Sequence, residues 1–216
     1  MSLTEELATQ KQTAAARFAP ERLATMEAAT AQLRASGIEG TALKAGERAP
    51  DATLTNVQGK QVRLADELAK GPAIVVFYRG GWCPYCNLTL RAYQKLLPQI
   101  RALGAGMIAV TPETPDRSLS TSEKNALEYP VLSDPELRAA AAFGLAFELP
   151  PELQALYLKN GNDLRLINGG GQWSLPVPAT YAIGADGLVL YAHVDADYRN
   201  RAEPTDALAA LQRVAA

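Results

Sequence analysis

Phe77-Tyr78-Arg79-Gly80-Gly81-Trp82-Cys83-Pro84-Tyr85-Cys86 carries both cysteines of the chain, three residues apart, between an apolar run and an amphipathic stretch. Upstream, Ala73-Ile74-Val75-Val76-Phe77 reads as a buried strand. Downstream, a helix from about Pro84 to Leu103 puts Leu90, Tyr93, Leu97 and Ile100 on one face, which extends back to Cys86. Met107-Ile108-Ala109-Val110 follows as a second strand, so the segment is a βαβ unit and the chain is of the α/β class. Two thiols with no other cysteine to pair with, at a strand-to-helix turn, point to redox chemistry.

The turn supplies a physical reason. With Pro84 in the first helical position, where its missing N–H costs nothing, Cys83 is the N-cap. Its sulfur then faces the free N–H groups of Tyr85 and Cys86 and the positive end of the helix dipole. Both favour thiolate, and thiol pKa values in such motifs fall from about 8.5 to roughly 3.5 to 7.5. Cys86, one turn on and facing inward, is placed to attack a mixed disulfide on Cys83. Arg79 adds positive charge nearby, and Trp82, Pro84 and Tyr85 are the expected substrate contacts, with Trp173 a further candidate. The bland readings are an inert buried cysteine pair, aromatics that only pack, and half of a zinc site. A structural zinc needs four ligands, and only His193 and carboxylates remain. His193, on an expected strand, reads as a packed residue rather than a base.

Around this unit the pattern is regular. Leu3, Leu7, Ala14 and Phe18 form one helical stripe, and Leu23, Met26, Thr30 and Leu33 another, with Pro20 suiting a helix start and Gly37 an end. Residues 1–40 therefore read as a helical hairpin, packed on the main domain or on a second subunit. Residues 44–216 form the main domain. It begins with a hairpin of Thr53-Leu54-Thr55 and Gln61-Val62-Arg63-Leu64 around Gly59. Helices are expected at about Pro115–Leu127 and Pro135–Phe143, the latter capped by Ser133 or Asp134, with a strand at Val131-Leu132 between them. The Gly- and Pro-rich stretch of about 145–177 reads as a mostly irregular insertion. Thr180-Tyr181-Ala182-Ile183 and Leu188-Val189-Leu190-Tyr191 flank a hairpin turn, and a helix from about Pro204 to Val214 closes the chain.

Composition narrows the function. With 48% hydrophobic residues over 216, the chain reads as one globular core with appendages. Lys and Arg number 21 against 23 Asp and Glu, which lacks the basic excess expected of a nucleic-acid binder. No apolar run reaches the roughly eighteen residues of a membrane span, and the polar start suggests a cytoplasmic protein. A single histidine leaves little for His-clustered metal sites, and no cofactor or metal is expected.

Several separate stretches resemble the AhpC/TSA peroxiredoxin family. They are Gly46-Glu47-Arg48-Ala49-Pro50-Asp51, the hairpin, Val75-Val76-Phe77-Tyr78 with a cysteine nine residues beyond Phe77, and Asp195-Ala196-Asp197-Tyr198-x-x-Arg201-Ala202-Glu203-Pro204. The resemblance covers roughly residues 44–212 and is closest to the branch with Gly-Trp-Cys-Pro-x-Cys. It implies a thioredoxin-like fold, a central mixed β-sheet flanked by helices, here with an N-terminal helical extension. It also implies thiol-dependent reduction of peroxides or disulfides, with a thioredoxin or glutathione-type reductant as partner.

In that resemblance Cys86 aligns with the peroxidatic cysteine of Thr-x-x-Cys, and Cys83 takes the threonine position, where a thiol is a weaker hydrogen-bonding group. The family's second-site arginine falls on Pro178, which leaves no charged donor there. A proline at this place is what thioredoxin-like disulfide reductases carry, in cis, beside their C-x-x-C, and Cys83-Pro84-Tyr85-Cys86 also matches glutaredoxins. Two branches therefore stay open. In one, Cys86 meets a peroxide and Cys83 resolves; in the other, Cys83 meets a disulfide and Cys86 resolves. A non-enzymatic redox sensor coupled to the N-terminal helices is a third reading, and their apolar stripes suggest a homodimer.

Overall fold

Period-2 geometry sends Ile74 and Val76 into one core and Ala73, Val75 and Phe77 into another, so this strand is covered on both faces. The computed structural model describes residues 1–215. Its N-terminal part holds α1 (Leu3–Arg17), α2 (Pro20–Ala35), α3 (Ile38–Thr41), β1 (Thr53–Thr55), β2 (Gln61–Arg63) and α4 (Leu64–Leu68). The βαβ unit is β3 (Ala73–Phe77), α5 (Pro84–Ala102) and β4 (Gly106–Thr111). Then come α6 (Pro115–Lys124), β5 (Val131–Ser133), α7 (Arg138–Ala142), β6 (Ala146–Glu148), α8 (Pro151–Lys159), α9 (Leu164–Ile167) and β7 (Ser174–Pro176). The chain finishes with β8 (Ala179–Ile183), β9 (Val189–Val194) and α10 (Pro204–Ala215).

The main sheet runs β2-β1-β5-β4-β3-β8-β9. Strands β3, β4 and β5 pair in parallel, whereas β8 lies antiparallel to β3 with Phe77 opposite Ala179. One face is covered by Leu90, Tyr93, Leu97 and Ile100 of α5 with Ala207, Leu208 and Leu211 of α10. The other packs Phe77 against Phe143 and Tyr181, with ring centroids 4.9 and 6.2 Å away. This is the thioredoxin-like arrangement that the resemblance implied.

Four local expectations need correction. Helix α6 ends at Lys124 rather than near Leu127, because Ala126 adopts a left-handed φ of 50°. Helix α7 starts only at Arg138, since Leu137 has a φ of 56°, and the Asp134 carboxylate accepts the N–H groups of Ala139 and Ala140. The stretch of about 145–177 is not mostly irregular. It folds into α8, α9 and the antiparallel pair β6–β7 around its own core of Leu149, Leu153, Tyr157, Leu164, Ile167 and Leu175. Finally, the N-terminal helices are not a mutual hairpin: α1 packs on α5 and α2 on α8. Leu3 and Leu7 of the α1 stripe are buried within the chain, whereas Ala14 and Phe18 stay half-buried. Among the described residues no helix is long and apolar enough to cross a membrane.

Candidate active site

The sharp turn between β3 and α5 depends on two glycines. Gly80 has a φ of 146°, and a Cβ there would lie 2.3 Å from Trp82 Nε1. A Cβ on Gly81 would lie 2.1 Å from Thr121 Oγ1. The freed space admits Glu113, a buried residue of the loop after β4 whose carboxylate accepts the Gly81 N–H at 2.8 Å. On the other side Asn87 Nδ2 donates to the Gly81 carbonyl at 2.8 Å, and Asn125 Nδ2 donates to Asn87 Oδ1 at 2.9 Å. Burial pushes the Glu113 carboxyl up, against the pull of the Gly81 N–H.

Pro84 occupies the first turn of α5 with Cys83 as N-cap, as the sequence predicts, but the Cys83 side chain makes no capping hydrogen bond. Cys83 is 2% exposed and Cys86 is 0% exposed, and both are free thiols. Their acidities run opposite to the N-cap argument. A hydrogen bond to Cys86 pushes the Cys83 thiol up, and burial and the Cys86 charge add to it. Burial also pushes Cys86 up, but the hydrogen bond from Cys83, the Arg201 guanidinium, the Arg79 backbone N–H and the Arg79 charge outweigh it. The Cys86 thiol therefore lies well below the ordinary value. Arg201 Nη2 stands 3.6 Å from Cys86 Sγ, and its Nε donates to the Tyr198 carbonyl at 2.7 Å, which fixes the fork.

Arg79 is the second cation of the site. It is 4% exposed and donates to the Tyr157 hydroxyl. Its Cζ lies 4.2 Å from the Tyr198 ring centroid and 5.1 Å from that of Trp82. Trp82 meets Tyr157 edge-on at 5.4 Å, and Tyr85 meets Tyr198 edge-on at 5.6 Å.

A cavity of about 210 Å³ opens over this cluster. Arg79, Trp82, Cys83, Pro84 and Tyr85, all expected from sequence, line it together, and α1 and α2 form its roof. Pro178 is not among them. It lines a second cavity of about 210 Å³ beneath α2, which shares Arg79, Tyr157 and Tyr198 with the first. Its peptide bond is trans, since no cis bond occurs among the described residues. The cis proline that thioredoxin-like disulfide reductases carry beside their C-x-x-C is therefore not found at Pro178. Trp173 packs with the insertion core, and His193 lies half-buried on β9, where partial burial pulls its imidazole below 6.5. Neither lines either cavity. Among the described residues no three His, Cys, Asp or Glu side chains gather as a metal site.

Arg201, Tyr198, Tyr157 and Glu113 escaped the residue-by-residue reading. For the first two a signal existed, because both lie in the quoted segment 195–204. Tyr157 and Glu113 carry none that sequence alone exposes.

A buried dithiol at the start of α5, on a mixed sheet of this order, defines a thioredoxin-fold thiol oxidoreductase. The profile of the AhpC/TSA family matches residues 45–192, and the chain belongs to that family. It is 28% identical over 132 residues to the thiol-disulfide oxidoreductase ResA of Geobacillus thermodenitrificans, which covers 61% of this chain and 73% of that one. It is 26% identical over 103 residues to peroxiredoxin Bcp of Escherichia coli, spanning 48% of this chain and 65% of Bcp. Among solved structures it is similar to peroxidoxin BcpB of Mycobacterium tuberculosis, with a TM-score of 0.63 at 22% identity over 80% of this chain and 98% of the other. Reduced Prx3 of Vibrio vulnificus in complex with H2O2 gives the same TM-score of 0.63 at 19% identity, over 78% and 99%. The chain is thus a thiol-dependent oxidoreductase of peroxiredoxin-like type.

Proposed function

We propose that this enzyme reduces peroxides, with Cys86 as the peroxidatic thiolate and Cys83 as the resolving thiol. The observation that carries the reading is the Arg201 guanidinium 3.6 Å from Cys86 Sγ. It supplies, from the opposite end of the domain, the charge-assisted donor missing at Pro178. The Cys86 thiolate attacks the O–O bond, the distal oxygen stays on sulfur as a sulfenic acid, and the other oxygen leaves as alcohol or water after taking up a proton. Arg201 and the Arg79 N–H are positioned to stabilise both the thiolate and the charge that develops on oxygen. The Cys83 thiol then attacks the sulfenic sulfur, water leaves, and a Cys83–Cys86 disulfide forms. Two equivalents of thiol restore the pair, which suits a reducing compartment such as the cytoplasm.

One observation favours the disulfide-exchange branch: Cys83, not Cys86, is the sulfur that lines the cavity. Steady-state assays of C86S and C83S with hydrogen peroxide, an organic hydroperoxide and insulin separate the branches. The peroxidase reading expects C86S to lose all peroxide consumption. Peroxide consumption that survives in C86S and disappears in C83S reverses the assignment.

A further inference from the structure

The cavity over Cys83 has one-sided polar chemistry. Three buried donors belong to residues that line it and lack an acceptor: Arg79 Nε, Trp82 Nε1 and Arg22 Nε. Its lining holds Lys11, Arg22, Arg79 and Arg199 against a single carboxylate, Glu27. Arg199 is already paired, at 2.5 Å with Glu27 and 2.6 Å with Asp197. Arg22 donates to the amide oxygen of Asn160 at 3.1 Å, and Arg79 to the Tyr157 hydroxyl. Neither guanidinium meets a carboxylate among the described residues. In the reduced enzyme Arg79 faces the Cys86 thiolate, but a Cys83–Cys86 disulfide removes that charge, and a cation 4% exposed without a counter-charge is costly unless an anion joins it.

The same cavity decides which thiol has access to the site. A disulfide is reduced by in-line attack of a thiolate on one of its sulfurs. Cys83 lies 2% exposed at the floor, beneath α1 and α2, so the dithiol of a protein reductant cannot approach it across a flat surface. A small thiol can instead place its sulfur end in this space of about 210 Å³.

We infer that this cavity is the reductant site and that the reductant is a small thiol bearing carboxylates, held by Arg79 and Arg22. The inference rests on the peroxidase reading only in needing the Cys83–Cys86 disulfide. The small thiolate attacks Cys83, forming a mixed disulfide and expelling Cys86 as its thiolate. Cys86 is the better leaving group because Arg201 and the Arg79 N–H stabilise it. A second small thiol attacks the mixed disulfide, and Cys83 takes up its proton. Two small thiols are oxidised to one disulfide, and the protein disulfide is reduced to two thiols.

The test starts from protein oxidised with diamide, which bypasses peroxide, and checked by intact mass for the loss of two hydrogens. Recovery of free thiols is timed with glutathione, its ethyl ester, 2-mercaptoethanol, cysteamine and a thioredoxin. Each small-thiol rate is divided by that thiol's rate with a model disulfide to remove intrinsic reactivity. Glutathione is expected to exceed 2-mercaptoethanol by about tenfold or more, the advantage of a charge-assisted contact. The ester falls between them and cysteamine lies lowest. In Arg22→Gln and Arg79→Gln the glutathione to 2-mercaptoethanol ratio falls toward one. Equal normalised rates, or a thioredoxin faster than every small thiol, overturn this inference alone. Failure to form the intramolecular disulfide overturns the peroxidase reading and this inference with it.

Discussion

Arg201 Nη2 lies 3.6 Å from Cys86 Sγ across 115 residues of sequence. The same guanidinium is held by the Tyr198 carbonyl, so the strap that follows β9 contributes, beside the Cys83 hydrogen bond, to the charge on the sulfur. Arg201→Met is therefore expected to raise the Cys86 pKa and to slow reaction with peroxide roughly 10²-fold, the usual cost of losing one such donor. Arg201→Lys keeps the charge without the fork and falls between. Stopped-flow peroxide consumption and the pH dependence of thiolate absorbance measure both. Because the native Cys86 pKa is lowered, the wild-type rate holds at neutral pH and falls only as pH drops through that value, whereas the Met variant loses rate at higher pH.

The turn that presents the cysteines rests on Gly80, Gly81 and Glu113. Gly80→Ala places a Cβ 2.3 Å from Trp82 Nε1 at a φ of 146°. It is expected to cost about 1–3 kcal/mol in chemical denaturation. Glu113→Ala leaves the Gly81 N–H without its acceptor and costs about 1–3 kcal/mol. Glu113→Gln retains an acceptor oxygen and is expected to cost less.

Glu203 links the strap to the roof of the cavity. Its carboxylate accepts the Thr4 N–H at 2.6 Å and the Leu3 N–H at 3.3 Å, capping the start of α1 beside the Ser2–Glu5 capping box. Glu203→Ala removes a charged cap worth about 1 kcal/mol. Limited proteolysis is expected to cut within the first turns of α1 faster in the variant than in wild type.

His193 gives a pH test of the core. Burial holds its imidazole below 6.5, so the native state binds fewer protons than the unfolded chain as the medium acidifies. Its contribution to stability is present above the unfolded value and is lost as pH falls through the lowered native one. As the only histidine, it gives a single imidazole signal whose NMR midpoint is expected below 6.5. The stability advantage of wild type over His193→Gln is expected to shrink over the same acid range.

What the sequence revealed was local. The buried strand, Pro84 at the helix start and the apolar face of α5 each follow from spacing within a few residues, and the structure holds all three. The stretch of about 145–177 misled because Pro151 and Asp163 start short helices rather than break structure, and a small core holds those helices. The relative acidity of the thiols was out of reach for a different reason. The helix dipole belongs to α5 alone, whereas at Cys86 burial is opposed by the Cys83 hydrogen bond, by Arg201 from the C-terminal strap and by the backbone N–H and charge of Arg79. Nothing in the spacing of Arg79 announced that its cation would lie buried among three aromatic rings.

In the proposed peroxidase cycle Cys86 is the sulfur that takes the peroxide oxygen. The direct measurement is one equivalent of hydrogen peroxide added to reduced C83S, with dimedone trapping and peptide mass analysis. A single dimedone adduct on Cys86 is expected, formed faster in C83S than in C83S carrying Arg201→Met. An unmodified Cys86, with a dimedone adduct instead on Cys83 of the C86S protein, contradicts it.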